Sequence, residues 1–154
     1  MPQLDTLGRT EEIQLPEIDI QGTHARVDTG AKTSAIWVSQ ADVSKGGLDV
    51  VFYGPGSPLY SGKTVHFEQF GTTIVASSNG MAQQRYKIRL LIVVGGRKIR
   101  AWFTLADRST QVYPVLIGRN VLRSKFVVDV TKYSTALETK EKERTAALKK
   151  ELSS

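Results

Sequence analysis

Cysteine is absent from this chain. That absence removes disulfides, thiol nucleophiles and thiolate metal sites together. It is compatible with the cytoplasm and with the periplasm alike. Histidine is almost as scarce, with only His24 and His66 present. No His-Glu-x-x-His pattern occurs, so a catalytic zinc, which needs about three protein ligands, has little to draw on. His66 and Glu68 share one face of an expected strand and read as a surface pair. No metal and no cofactor is expected. Long apolar runs are missing too. None approaches the ~20 residues that cross a bilayer, so no membrane partner is expected. Residues 1–20 are polar and acidic, unlike a secretory leader. As it stands the chain reads as cytoplasmic, and a trimmed leader would leave the periplasm open.

What is present is ordinary for a globular domain. The 154 residues are 40% hydrophobic, enough for one domain with a real core. The formal net charge of +6 favours solubility first and acidic partners second.

Strand-period patterning dominates the chain. Residues 1–12 read as an arm. Ile13 to Ile20 alternates, Gln21-Gly22 is a plausible turn, and His24 to Val27 is a strand that ends at Asp28. Lys32 to Val38 fits a short strand or one helical turn. Ala41 to Gly47 reads as a loop, Leu48 to Tyr53 as a strand, and Gly54 to Pro58 as a turn cluster. Thr64 to Phe70 and Thr72 to Ala76 read as strands. Ser77-Ser78-Asn79-Gly80 is a hairpin signal. Arg85 to Val94 and Ile99 to Leu105 are strands joined at Gly95-Gly96. Pro114 to Gly118 is short and apolar, Arg119 to Ser124 fits one or two helical turns, and Phe126 to Val130 is a last strand. Short strands with regular turns predict an all-β barrel or sandwich. From Ser134 the chain turns polar and rich in helix formers. Thr135 to Glu138 fits a capping box, Glu138 and Lys142 fit an i,i+4 pair, and Leu148 and Leu152 form a thin apolar seam. The expected organisation is an arm (1–12), a β domain (13–133) and a solvated helical tail (134–154).

Chemistry concentrates at Asp28-Thr29-Gly30-Ala31. A carboxylate at a strand end, on a tight glycine-containing loop, is held rigidly and is well placed as an acid or base. A turn aspartate capping local amides is the plainer reading. The second stretch is Leu116-Ile117-Gly118-Arg119-Asn120-Val121-Leu122.

Taken in order, the Asp-Thr-Gly-Ala loop, the hairpin at Ser77 to Gly80 and the Gly-Arg-Asn segment resemble a retropepsin, the one-lobed aspartic peptidase. The longer pattern is closer to a bacterial subfamily that carries the label "ATP-dependent zinc protease". Its Asp-Thr-Gly-Ala-(Lys/Arg)-Thr-Ser-Ala run is matched by Asp28 to Ala35. Its Ser-Ser-Asn-Gly and Arg-Tyr segments are matched by Ser77 to Gly80 and by Arg85-Tyr86, and its closing Gly-Arg helix and strand by Gly118 to Asp129. The resemblance spans roughly residues 8–131. It implies an acid-protease closed barrel, with one short helix after Gly118 and the polar helical tail.

The resemblance also implies roles. Asp28, Thr29 and Gly30 would form the catalytic loop. A single Asp-Thr-Gly per chain implies a homodimer with one Asp28 from each subunit, and Thr29 bonding across the interface. Ala31 and Lys32 would line the cleft. Ser77, Ser78, Asn79 and Gly80 would be the flap over a bound peptide. Leu116, Ile117, Gly118 and Arg119 would support the site from beneath. Viral enzymes place an acidic residue directly after Asp-Thr-Gly-Ala to pair with the arginine. Here that position is Lys32, so Arg119 needs another partner, and a structural ion pair is its expected role. Lys32 beside the cleft favours acidic substrates. The subfamily often neighbours glutamate-ligating enzymes, which points to glutamate-rich peptides.

Other function classes fit less well. Ser57 to Thr64 is a near miss to a P-loop: its first glycine is replaced by Ser57, and a strand follows where a helix is needed. Arg85, Lys87 and Arg89, with Arg97, Lys98 and Arg100, form a basic strand face, but no aromatic-rich nucleic-acid motif accompanies it. Nucleic acid is therefore not an expected partner. The stronger alternative is a noncatalytic peptide-binding module on the same fold.

Overall fold

Two tight hairpins space the central strands. At Lys45-Gly46 and at Gly95-Gly96 both central residues have positive φ, at 51° and 76° and at 56° and 78°. Turns of that hand match the twist of the strands they join. The computed structural model describes residues 3–76 and 80–153. The strands in chain order are β1 (Asp5–Leu7), β2 (Thr10–Leu15), β3 (Ile20–Val27), β4 (Ser34–Ser44), β5 (Gly47–Phe52), β6 (Thr64–Phe67), β7 (Gly71–Ala76), β8 (Ala82–Val94), β9 (Arg97–Ala106) and β10 (Val115–Ile117). Helix α1 (Arg119–Leu122), strand β11 (Phe126–Val128) and helix α2 (Thr135–Ser153) complete the chain. The protein is mostly β, with two α-helices among the described residues.

The strand pairings run in a ring. Strand β3 pairs β2 and β10, β10 also pairs β4, and β4 pairs β9. Strand β9 pairs β8, which returns to β2 at Gln14 and Val93. Strands β5 and β6 extend the sheet from β4, and β7 pairs β8. Side chains alternate across each strand. Ile88, Leu90, Ile92 and Val94 of β8 thus meet Ile99, Ala101, Phe103 and Leu105 of β9 in one buried core, joined by Ile13, Leu15, Ile36 and Ile117.

Four local expectations need correction. The residues expected as an arm enter strands: β1 runs parallel to β11, with Leu7 opposite Val128, and β2 begins at Thr10. Leu7 is buried, and it contacts the Gly95 turn beside Phe126. The turn expected at Gln21-Gly22 lies earlier. A 3-10 turn at Pro16–Ile18 is closed by Asp19 in the left-handed region (φ 58°), and Gly22 runs inside β3. Proline presets φ, and a short polar residue tolerates the left-handed conformation. Ala41 to Ser44, expected as loop, continues β4, because Val43 and Ser44 pair with Leu48 and Gly47 across the hairpin. Here tertiary pairing overrides weak strand propensity. The cap of α2 is Ser134, whose Oγ accepts from the amide of Leu137 at 3.3 Å, rather than Thr135.

Helix α2 is docked at its first turns. Glu138 lies 3.0 Å from Arg9, and Glu141 pairs with Arg26. The expected partner of Glu138, Lys142, is replaced by an arginine from the strand region.

Candidate active site

Asp28 follows directly on β3, where β10 lies parallel beside it with Ile117 opposite Val27. The Asp28 amide donates to the carbonyl of Ile117 at 2.8 Å. Its Oδ1 accepts from the amide of Gly30 at 2.9 Å, and its carbonyl accepts from Ala31 at 3.2 Å. The carboxylate is half-buried, and Thr29 and Gly30 are exposed at the loop tip. A Cβ at Gly30 would sit 3.2 Å from Oδ1, tighter than most real contacts.

The Gly-Arg-Asn segment holds this loop from beneath. Arg119 donates from Nη1 to the carbonyls of Thr29 (3.2 Å) and Gly30 (3.1 Å), and its amide donates to Ala31 at 2.8 Å. The partner that sequence could not name is therefore the backbone of the Asp28 loop. The expected ion pair is corrected to neutral acceptors. Gly118 is sterically fixed, since a Cβ there would lie 2.5 Å from the Thr33 carbonyl oxygen. Leu116 and Ile117 belong to β10, which lies parallel beside β3.

Two residues outside the expected site complete the support. Ser34 is fully buried. Its Oγ accepts from the Gly118 amide at 2.9 Å and donates to Asn120 Oδ1 at 2.8 Å. Asn120 Oδ1 also accepts from the Ser34 amide at 3.0 Å, and its Nδ2 donates to the Trp102 carbonyl at 2.8 Å. Ser34 and Asn120 stand in the two motif runs, so their place in the motifs was the available signal.

The surroundings of Asp28 are cationic. Lys32 is exposed at the loop exit. Arg108, which sequence reading did not single out, is half-buried in the segment between β9 and β10 and donates from Nε to the Tyr113 carbonyl at 2.9 Å. Burial pushes its guanidinium below the ordinary value and Arg85 pushes the same way, while Glu141 and Asp28 favour the charge. For Arg26, burial opposes the charge, but the bond to Glu141 and the charges of Glu141 and Glu138 together more than offset it, and the guanidinium is held above its ordinary value.

Of the expected flap, Ser77, Ser78 and Asn79 lie outside the described residues. Gly80 is exposed, with φ 82° and open space around it. Strands β7 and β8 pair from Gly71 with Lys87 up to Ala76 with Ala82, so a hairpin leads to that segment.

The remaining expectations sort as follows. His66 bonds Asp49 at 2.6 Å across the β5–β6 ladder, and Glu68 lies beyond the end of β6. The surface pair is thus His66 with Asp49, not Glu68. Thr64 opens β6, where a P-loop would open a helix. In the basic face, Arg97 pairs Asp5, Arg100 pairs Glu17, and Lys87 and Arg89 lie over the Trp102 ring.

A strand-end aspartate on a Thr-Gly loop, clamped by a Gly-Arg-Asn segment beneath it, defines the retropepsin-like class. The family model of the "Retropepsin-like aspartic endopeptidase RimB" (RimB-like) matches residues 6–139, and the chain belongs to that family. Among curated relatives it is 28% identical over 128 residues to a "Probable alpha-L-glutamate ligase" of Shewanella pealeana, covering 80% of this chain and 28% of that protein. It is 27% identical over 127 residues to a protein of the same name in Desulfotalea psychrophila, covering 80% and 27%. The chain thus spans little more than a quarter of the length of these relatives. Among solved structures, the Legionella pneumophila protein Lpg0085, of unknown function, superposes with a TM-score of 0.66 at 21% identity, covering 86% of this chain and 98% of that one.

Proposed function

We propose that the protein hydrolyses peptide bonds as a homodimeric aspartic peptidase, with one Asp28 from each subunit, and that its substrates are acidic, glutamate-rich peptides. The observation that carries this reading is the Asp28 loop itself. Its carboxylate is fixed by the Gly30 amide, and the loop carbonyls are clamped by Arg119. Family membership supports the peptidase class.

One chain supplies one such loop, and two carboxylates are needed. Facing across a two-fold axis, two Asp28 side chains share one proton, because like charges that close cannot both ionise. The ionised one takes a proton from water as the oxygen attacks the amide carbon. The protonated one hydrogen-bonds the carbonyl oxygen and stabilises the tetrahedral intermediate. Proton return to the amide nitrogen releases the amine. Thr29, exposed at the loop tip, holds the two loops together, and the ring of strand pairings forms the closed barrel beneath them. The β7–β8 hairpin closes over the peptide and excludes water.

Acidic specificity rests on Lys32, Arg26 and Arg108 near the loop, and on the glutamate-ligase names of the relatives. The test is cleavage of a library that includes oligoglutamate peptides. Asp28→Asn abolishes cleavage, while chelators and removal of ATP leave the rate unchanged. Loss of activity on chelation, with Asp28→Asn still active, would falsify the reading. Retained peptide affinity with no product at any pH would instead favour a binding module.

A further inference from the structure

We propose that Arg26 and Arg108 form the subsite for an acidic substrate side chain, and that Glu141 of helix α2 occupies this subsite in the resting chain. The proposal rests on the acidic-peptidase reading and names its recognition site and its internal competitor.

The geometry starts on β3. His24 and Arg26 point to the outer face of that strand, between the buried Thr23, Ala25 and Val27. Strand alternation carries the same face on to Asp28. Beside His24, a groove of about 950 Å³ separates β3 and the Pro55–Leu59 loop from α2, with Leu137, Lys140 and Glu143 on its helical wall. Helix α2 therefore lies along the strand face that leads to Asp28. At Arg26 the helix touches down, and the contact is a glutamate carboxylate on a guanidinium.

Arg108 is built to receive a second such contact. Its Nε is anchored on the Tyr113 carbonyl, and its two terminal nitrogens have no hydrogen-bond partner among the described residues. The residue as a whole is half-buried. That anchor, Tyr113, stands two residues before Val115, which pairs Ala25 next to Arg26, and the charges of Asp28 and Glu141 both reach the Arg108 guanidinium. A planar, half-buried guanidinium with free terminal donors suits a carboxylate ligand.

The helix contact is also incompletely satisfied. Among the described residues, Tyr113 Oη and Arg9 Nε are buried without hydrogen-bond partners, Arg9 being the arginine that pairs Glu138 of the same helix. Tyr113 is only 2% exposed, and the charges of Glu141 and Glu138 both reach it. A contact that leaves buried polar atoms unpaired is one a better-fitting peptide can displace.

The test uses the full chain carrying Asp28→Asn, so binding is read without cleavage. Labelled oligoglutamate and oligoglutamine peptides of equal length are titrated by fluorescence anisotropy. Glu141→Gln should tighten oligoglutamate binding by about tenfold, as expected if the helix covers the subsite roughly nine-tenths of the time. Arg26→Gln and Arg108→Gln should each weaken oligoglutamate by tenfold or more and leave oligoglutamine unchanged. Arg108→Lys, which keeps the charge and loses the fork, should fall between, and it serves if Arg108→Gln does not fold. Unchanged or weaker binding in Glu141→Gln overturns the competition. Equal losses for both peptides in the arginine variants overturn the subsite. Cleavage by the unmodified chain, assayed separately, decides the peptidase reading on its own.

Discussion

Replacing Asn120 by alanine should loosen the Asp28 loop from a distance. Asn120 Oδ1 is the acceptor for both the amide and the hydroxyl of Ser34, and Nδ2 serves the Trp102 carbonyl. Those contacts fix the amide's orientation, since only oxygen can face the Ser34 N–H. Ser34 is fully buried, so its amide would lose its partner where water does not reach. An unsatisfied buried group costs about 1–3 kcal/mol. With the Trp102 carbonyl also stranded, we expect a total of about 2–4 kcal/mol, or a melting point lower by roughly 5 to 15 °C for a domain of this size. The Ser34 hydroxyl also carries the Gly118 amide, and Gly118 abuts the Thr33 carbonyl at the exit of the Asp28 loop. A shift of about 1 Å at a reacting group costs on the order of a hundredfold in rate. Asn120→Asp keeps both bonds to Ser34 but sets an oxygen against the Trp102 carbonyl, so its loss should be smaller in both readouts. Thermal unfolding and peptide cleavage of the two variants give the answer. An alanine variant that melts within about 2 °C of the parent and cleaves as well would refute the idea that this network positions the loop.

Gly118→Ala drives a methyl into the Thr33 carbonyl. Overpacking of that kind costs about 1–3 kcal/mol, measurable by urea unfolding, and cleavage should fall with it. Arg119 is exposed, so Arg119→Lys should alter stability by less than about 1 kcal/mol. It gives up the planar donor shared by Thr29 and Gly30, so cleavage is the readout that should drop. Burial raises the Tyr53 hydroxyl from 10.0 to about 12, against the opposing bond to Thr23. A raised folded value means that this stability is complete below pH 10 and is lost as pH climbs through 12, for a total of about 2–3 kcal/mol. Tyr53→Phe should begin about 1 kcal/mol less stable, through the lost Thr23 bond, yet show a flatter alkaline decline in unfolding midpoints between pH 8 and 11.5. An equally steep decline in the variant would show that Tyr53 is not the group responsible.

Local chemistry made much of the fold legible. The Gly95-Gly96 hairpin, the strand into Asp28, the short helix after Gly118 and the helical tail all follow from turn residues, alternation and helix formers. Each of these signals acts within a few residues, so a linear reading captures it. Reading the chain as motifs also located the Asp28 loop and the Gly118-Arg119 segment that supports it.

Tertiary structure decided what depends on distant partners. Leu7 sits in a mostly polar stretch, and the distant β11, together with the Gly95 turn and Phe126 against Leu7, makes β1 part of the fold. Arg119 found backbone carbonyls where sequence comparison suggested a carboxylate, because the loop folds its Thr29 and Gly30 carbonyls back over the helix start. Arg108 lies in a segment with no motif, and nothing in its neighbours marks it. That the charges of Asp28 and Glu141 reach it is decided by the fold. Glu138 and Glu141 looked like a solvated helix face and instead hold that helix against β3 and Arg9. Sequence set the chemistry and the local turns, because these are properties of adjacent residues. The fold alone chose which charges meet, because that choice depends on chain closure over a hundred residues.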